Sequence, residues 1–381
     1  MKDTPKPTGV IAQPWLILHN WSILCPISER QLSPSSPPLS PSPTLRYDIS
    51  MKAWLLDSFT GLSALYIAEV SEPIPREGEV LLEVEYASLN PADRYLAQNE
   101  YPAKPPLPHI LGRDGVGTVV ALGPGVSNIR IGERLVILRG DTGVKRWGNF
   151  AQRVAVAAES LVKIPQGWTD QQAAAAPLVY LTAYQALTQW RDLAPGIVLV
   201  TGASGGVGIA SLHLARALGH STVALSRSES KRKKLLELGA TFAIDPTQPD
   251  WPTKLRDTLN PKRVDLAIDN LGGPEFSQIL ETLGPNGKVS VVGRLAGPVP
   301  EFNTAALFFR RLKIGGVAVS TYTAAEFQQA WGKIVPLMNS IGAKPLVDSI
   351  FPFEELINAF EKLAAGPMGK VLLDVTTAEK K

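Results

Sequence analysis

The stretch IVLVTGASGGVGIASLHLARALG, Ile197 to Gly219, decides the fold. Its first residues form a continuous apolar run, as in a parallel strand buried on both faces. Its second half, GIASLHLARALG, reads as an amphipathic helix. The turn between them carries Gly202, Gly205, Gly206 and Gly208. In a strand–turn–helix setting each small residue has a task. One permits the tight turn, another lets backbone N–H groups approach a pyrophosphate, and a third lets helix and strand pack closely. The helix N-terminus adds partial positive charge for phosphate. Ala203 stands where a literal G-x-G-x-x-G would have its first glycine, so the candidate cradle is Gly202, Ala203, Ser204, Gly205, Gly206, Val207 and Gly208.

Outward from this turn, strand and helix patterns alternate. After it come the strand STVALS, the helix ESKRKKLLELGA, and the strand candidates TFAID, VDLAIDN, KVSVVG and LKIGGVAV. Such alternation predicts a doubly wound parallel sheet. Upstream, from Met51 to about Pro177, short alternating segments such as EVLLEVEYASLN and NFAQRVAVAAESLVKIP are separated by turn residues and predict an antiparallel, barrel-like domain. DQQAAAAPLVYLTAYQAL, between the two regions, has helical composition.

The end of the second parallel strand bears on the nucleotide. An NAD site usually has an acid there to hold the ribose 2′-hydroxyl. This chain has Ser226-Arg227-Ser228, then Lys231 and Arg232, while Glu229 lies past the strand end in the turn that opens the next helix. A guanidinium and hydroxyls bind a 2′-phosphate that a carboxylate would repel. NADPH is therefore the expected cofactor, held at this end by Ser226, Arg227 and Lys231. The other reading of these cations is a solvated helix face.

Composition narrows the function classes. The 381 residues carry 38 Lys and Arg against 35 acids, a net charge of +3 with no basic stripe, which argues against a nucleic-acid partner. No apolar run approaches the roughly 20 residues needed to cross a bilayer. A lone cysteine, Cys25, leaves no intrachain disulfide and fits a reducing, cytoplasmic setting. QLSPSSPPLSPSPTL, Gln31 to Leu45, has too little apolar material to offset chain entropy and reads as disordered. Residues 1–50 are expected to be a dispensable extension, with Met51 the natural start.

Several motifs in order, SLNPADRY, LPHILGRDGVGTVVALGPGVSNIRIGERL, GNFAQRVAV, AAAAPLVYLTAYQAL, TGASGGVG and LLELGATFAID, carry a family resemblance. From Met51 to its C-terminus the chain resembles the medium-chain dehydrogenase/reductase superfamily, and within it the zinc-free quinone oxidoreductase branch. The resemblance implies an α/β fold, with a GroES-like β-barrel catalytic domain over 51–176 and a Rossmann domain over 177–322. It also implies a C-terminal return to the first domain over 323–381. Positions matching the catalytic zinc ligands of metal-dependent members are Asn90, Arg113 and Leu178, none of which supplies the thiolate or imidazole that zinc favours. The loop ILRGDTGVKRWGNF lacks the cysteines of a structural zinc lobe.

Without a metal the resemblance implies hydride transfer to a quinone or α,β-unsaturated carbonyl, with a donor to the developing oxyanion. Tyr95 matches the tyrosine that this branch places beside the nicotinamide; it either donates or walls the pocket. Asn90 either bonds substrate or cofactor or caps the turn before Pro91. Thr182 matches a family threonine near the cofactor. Asn270, Gly293 and Arg294 follow strands, at carboxyl ends where doubly wound sheets bind ligands. Asp93 and Asp114 read as loop-holding acids, and His109, His213 and His220 as structural. Three functions stay open: an NADPH-dependent reductase, an NADPH-binding protein with little turnover, and an alcohol dehydrogenase. The edge strand LKIGGVAV suits a homodimer.

Overall fold

The computed structural model describes residues 50–191, 193–297 and 302–378. The expectations for residues 1–49 lie outside them. Two β systems organise the described chain.

The first is a six-stranded parallel sheet. Its order is Phe242–Ile244, Ser221–Leu225, Ile197–Val200, Val264–Asp269, Leu283–Val291, Lys313–Gly316. Successive side chains of a strand point to opposite faces. Val198 and Val200 accordingly enter a core with helices Pro177–Thr188 and Gly206–Ala217. Ile197 and Leu199 enter a second core with Trp251, Leu255, Phe276 and Ile279 from the helices on the other face. Burial of each such aliphatic side chain contributes about 1.5–3 kcal/mol. That is why the IVLV run has no polar residue.

The second system is a seven-stranded, mostly antiparallel sheet. It runs from Val347–Pro352 through Lys370–Asp374, Glu79–Ser88, Asp114–Leu122 and Arg134–Ile137 to Leu161–Lys163, with Arg153–Ala157 also paired to Glu79–Ser88. A three-stranded sheet of Leu65–Ser71, Ser50–Leu56 and His109–Ile110 packs on it, and Leu56, Leu82, Ile137, Phe353 and Leu373 share one core. Lys370–Asp374 returns from the far end of the sequence to pair antiparallel with Glu79–Ser88. The expected interrupted architecture is therefore present.

The helical stretch between the two systems is divided. Asp170–Ala175 ends before Pro177, which opens Pro177–Thr188. Proline lacks the N–H a helix interior needs but suits a first turn. Among the described residues no helix is long and apolar enough to cross a membrane.

Candidate active site

A cleft of about 1540 Å³ is lined from both systems. Gly202, Ser226, Asn270 and Gly293 follow the carboxyl ends of four adjacent parallel strands. Asn90, Tyr95, Arg113 and Arg139 contribute from the other side. Its size exceeds the roughly 300–1,000 Å³ of a drug-sized site.

Two glycines of the turn are required by geometry. Gly202 has φ +55°, in the left-handed region. A Cβ on Gly208 would come within 2.4 Å of the Gly202 carbonyl oxygen, so only glycine lets this helix approach its strand. The helix Gly206–Ala217 has no side-chain cap, which leaves its first N–H groups for the cleft. Ser204, Gly205, Gly206, Val207 and Gly208 line the cleft with Gly202. Ala203 does not; it is fully buried, and its N–H donates to the Leu225 carbonyl at 3.2 Å. Its place is beneath the turn.

Beyond the turn, Asn270 is held by Thr201. Its backbone N–H donates to Thr201 Oγ1 at 2.9 Å and its Nδ2 to the Thr201 carbonyl at 2.8 Å. Asn270 Oδ1 is buried without a partner. A buried acceptor left unmade is costly, so this atom suits a ligand donor. Gly293 and Thr182 also line the cleft, and Thr182 Oγ1 donates to the Leu178 carbonyl at 2.6 Å.

The cations at the second strand divide by role. Arg232 is bound internally, donating to the Ser226 carbonyl at 2.8 Å and pairing with Asp245 at 3.2 Å. Lys231 donates to the Gly366 carbonyl across the cleft mouth. Arg227 is exposed and has no ion pair among the described residues. Nearby Glu275 has a buried, unpartnered Oε2. Burial raises its carboxyl above the ordinary range, partly offset by the Arg227 charge.

On the opposite wall, Asn90 caps the helix Pro91–Ala97, as its residue type and Pro91 allow. Its N–H donates to Asp93 Oδ2 at 3.0 Å. Its side-chain amide is fully used: Nδ2 donates to Asp114 Oδ1 at 2.7 Å and to the Ser88 carbonyl at 3.2 Å, while Oδ1 accepts from Lys370 Nζ at 2.6 Å. Asn90 is thus placed as a positioning residue rather than as a free donor. Arg113 donates from Nε to Asp93 Oδ1 at 2.7 Å and stacks over Tyr101 at 4.4 Å. The Leu178 N–H donates to Asp114 Oδ2 at 3.2 Å. Asn90, Arg113 and Leu178 therefore sit in one hydrogen-bonded cluster containing two buried cations. Burial raises the Asp114 pKa, with Lys370 opposing, and lowers that of Lys370, with Asp114 opposing.

Tyr95 is half-buried on the same helix, with the Arg94 guanidinium 6.0 Å and the Arg294 guanidinium 5.8 Å from its ring centre. Its hydroxyl has no hydrogen-bond partner among the described residues. Arg294 pairs with Glu100 at 3.2 Å, so it ties the parallel-sheet side to the Tyr95 helix end. The expected loop-holding acids do hold loops, Asp93 through Arg113 and Asp114 through Asn90. His213 Nδ1 is paired with the Tyr180 hydroxyl at 2.9 Å, and the Gly196 N–H donates to His220 Nδ1 at 3.1 Å.

Sequence reasoning missed two cleft residues, Lys370 and Arg139. Lys370 opens an apolar strand, where a lysine is out of place, and that was its visible trace. Arg139 sits in a loop with other charges and had none.

Residues 76–166 match the alcohol dehydrogenase GroES-like domain family and residues 206–336 the zinc-binding dehydrogenase family. Human quinone oxidoreductase is 30% identical over 327 residues, 85% of this chain and 97% of that protein. The human synaptic vesicle membrane protein VAT-1 homolog is 32% identical over 346 residues, 85% of this chain and 86% of that protein. A solved NAD-dependent alcohol dehydrogenase superposes with TM-score 0.79 at 28% identity, covering 85% of this chain and all 100% of the other. A mycobacterial protein solved with NADPH gives TM-score 0.77 at 27% identity, covering 86% and 100%. The chain belongs to the medium-chain dehydrogenase/reductase superfamily, in the quinone oxidoreductase branch.

Proposed function

We propose that this oxidoreductase is NADPH-dependent and metal-free and reduces a quinone or an α,β-unsaturated carbonyl compound. The observation that carries the reading is the unpartnered Tyr95 hydroxyl in the same cleft as the Gly202–Gly208 turn. The uncapped helix N-terminus suits the pyrophosphate. Ser226, Arg227 and Lys231 suit a 2′-phosphate, and Asn270 Oδ1 a donor on the nicotinamide half. Gly293 and Thr182 complete that wall, and Arg294 braces Tyr95. When bound, the reduced dinucleotide supplies the hydride.

The chain's own contribution is to the acceptor. Tyr95 donates a hydrogen bond to the acceptor oxygen as negative charge builds there, and a donor of this kind is worth most in the transition state. Asn90, fixed by Lys370 and Asp114, holds the start of the Tyr95 helix. Zinc does not fit the matching positions, because the Asn90 amide is spent and Arg113 and Lys370 bring positive charge.

NADPH oxidation with phenanthrenequinone and a panel of enones tests the reading. Turnover with at least one acceptor is expected. Tight NADPH binding with no oxidation across the panel would make the chain a cofactor-binding protein instead.

Among the described residues the edge strand Lys313–Gly316 has a free side, and Phe308 and Phe309 beside it are 64% and 79% exposed. A second copy pairing there would cover both rings. Sedimentation showing a monomer at high concentration would exclude it.

A further inference from the structure

The substrate side of the cleft holds a charge that the proposed reaction leaves unused. Arg139 follows the strand Arg134–Ile137 and lines the cleft, yet is only 4% exposed. Its Nη1 donates to the adjacent Gly140 carbonyl at 2.9 Å, and its Nε is buried with no partner. No carboxylate pairs with it among the described residues. Its cationic neighbours are all answered: Arg113 by Asp93 at 2.7 Å, Lys145 by Asp141 at 3.3 Å, and Arg146 by Glu79. The acids that approach Arg139, Asp93 and Asp114, are committed to Arg113 and to Asn90 with Lys370.

A buried charge without a counter-charge is strongly unfavourable, and a guanidinium cannot escape by losing its proton. Burial and the Arg113 charge act against the charged form here and outweigh the pull of Tyr101, Asp114 and Asp93. The fold therefore keeps a cation with no carboxylate of its own on the cleft wall. A guanidinium's planar fork matches a carboxylate in shape as well as charge.

We propose that Arg139 is a specificity-determining residue that receives a carboxylate of the acceptor, so that the preferred substrates are unsaturated carbonyl compounds bearing an acid group. The fate of such a substrate rests on the reductase reading. The binding of its carboxylate does not.

The test uses the full chain saturated with NADP⁺ and titrated calorimetrically with levulinate, a saturated keto acid, and with its methyl ester. Levulinate is expected to bind roughly 10- to 100-fold more tightly than the ester, the range of a charge-assisted hydrogen bond. Arg139→Met should abolish that preference and Arg139→Lys should keep part of it. The ligand-free melting temperature of Arg139→Met should equal or exceed the parent's, since an unanswered buried charge has gone. A guanidinium with a merely structural role would lower it. Equal binding of acid and ester by the parent, or an unchanged preference in Arg139→Met, would overturn the proposal.

Turnover separates the two readings. Acetylacrylate and its methyl ester are offered with NADPH. If both are reduced with equal kcat/KM, the carboxylate site is wrong and the reductase stands. If neither is reduced while levulinate still depends on Arg139, the reductase is wrong and the site stands.

Discussion

The Lys370 ammonium donates to the Asn90 amide oxygen at 2.6 Å, tying the returning C-terminal strand to the cap of the helix that carries Tyr95. The same ammonium donates to the Leu89 carbonyl at 2.8 Å, and Asp114 answers its charge. Removing one member of a buried charged pair leaves the other uncompensated, typically at about 3–5 kcal/mol. Lys370→Met should therefore lower unfolding free energy by that order in a urea titration. A variant as stable as the parent would show that the cluster is not what fixes this loop.

Tyr95 lines the cleft, its hydroxyl has no partner among the described residues, and two guanidinium groups lie near its ring. Tyr95→Phe keeps the ring and removes the donor. Turnover should fall by roughly 10- to 1,000-fold with NADPH affinity nearly unchanged, because a donor acting mainly in the transition state is lost. Equal kcat in the variant would reduce Tyr95 to a wall.

Arg227 is the second-strand cation without an ion pair among the described residues, since Arg232 and Lys231 are engaged. Arg227→Asp should shift binding from NADPH toward NADH by about 2–4 kcal/mol, measured as the ratio of the two dissociation constants. An unaltered ratio would assign the 2′-position to other residues.

Acid should destabilise the protein through two buried histidines. Burial lowers His109 and His213 from the ordinary 6.5 to about 4. Between those values the unfolded chain binds protons that the folded chain refuses. Their contribution is thus complete above pH 6.5 and lost as pH falls toward 4, on the order of a few kcal/mol for the pair. Melting temperature should drop across that window, and less steeply in His213→Gln. A slope identical in the variant would show that His213 titrates normally.

What was legible in the sequence was local. Strand, turn and helix lie contiguously in Ile197–Gly219, so periodicity and glycine placement announce them, and the C-terminal return followed from family motifs. The split at Pro177 was missed, since the stretch was read only as helical, although proline ends one helix and opens another. The partners of Asn90 were not legible either. Of its two expected roles the structure shows the cap before Pro91, while its amide bonds to Asp114 and Lys370, the latter brought from the far end of the sequence only by sheet pairing. Arg139 is the harder case, because what marks it is the lack of a partner, and one sequence does not record which charges fail to meet. Ala203 teaches the same lesson: it lies inside the glycine run, yet its backbone faces strand Ser221–Leu225 rather than the cleft.

The most direct test of the central claim uses NADPH deuterated at C4 of the nicotinamide and an enone acceptor, with the enzyme pretreated with a chelator. Mass spectrometry of the product should find one deuterium on the carbon β to the carbonyl. Unlabelled product, or activity that vanishes with the chelator and returns with added zinc, would contradict it.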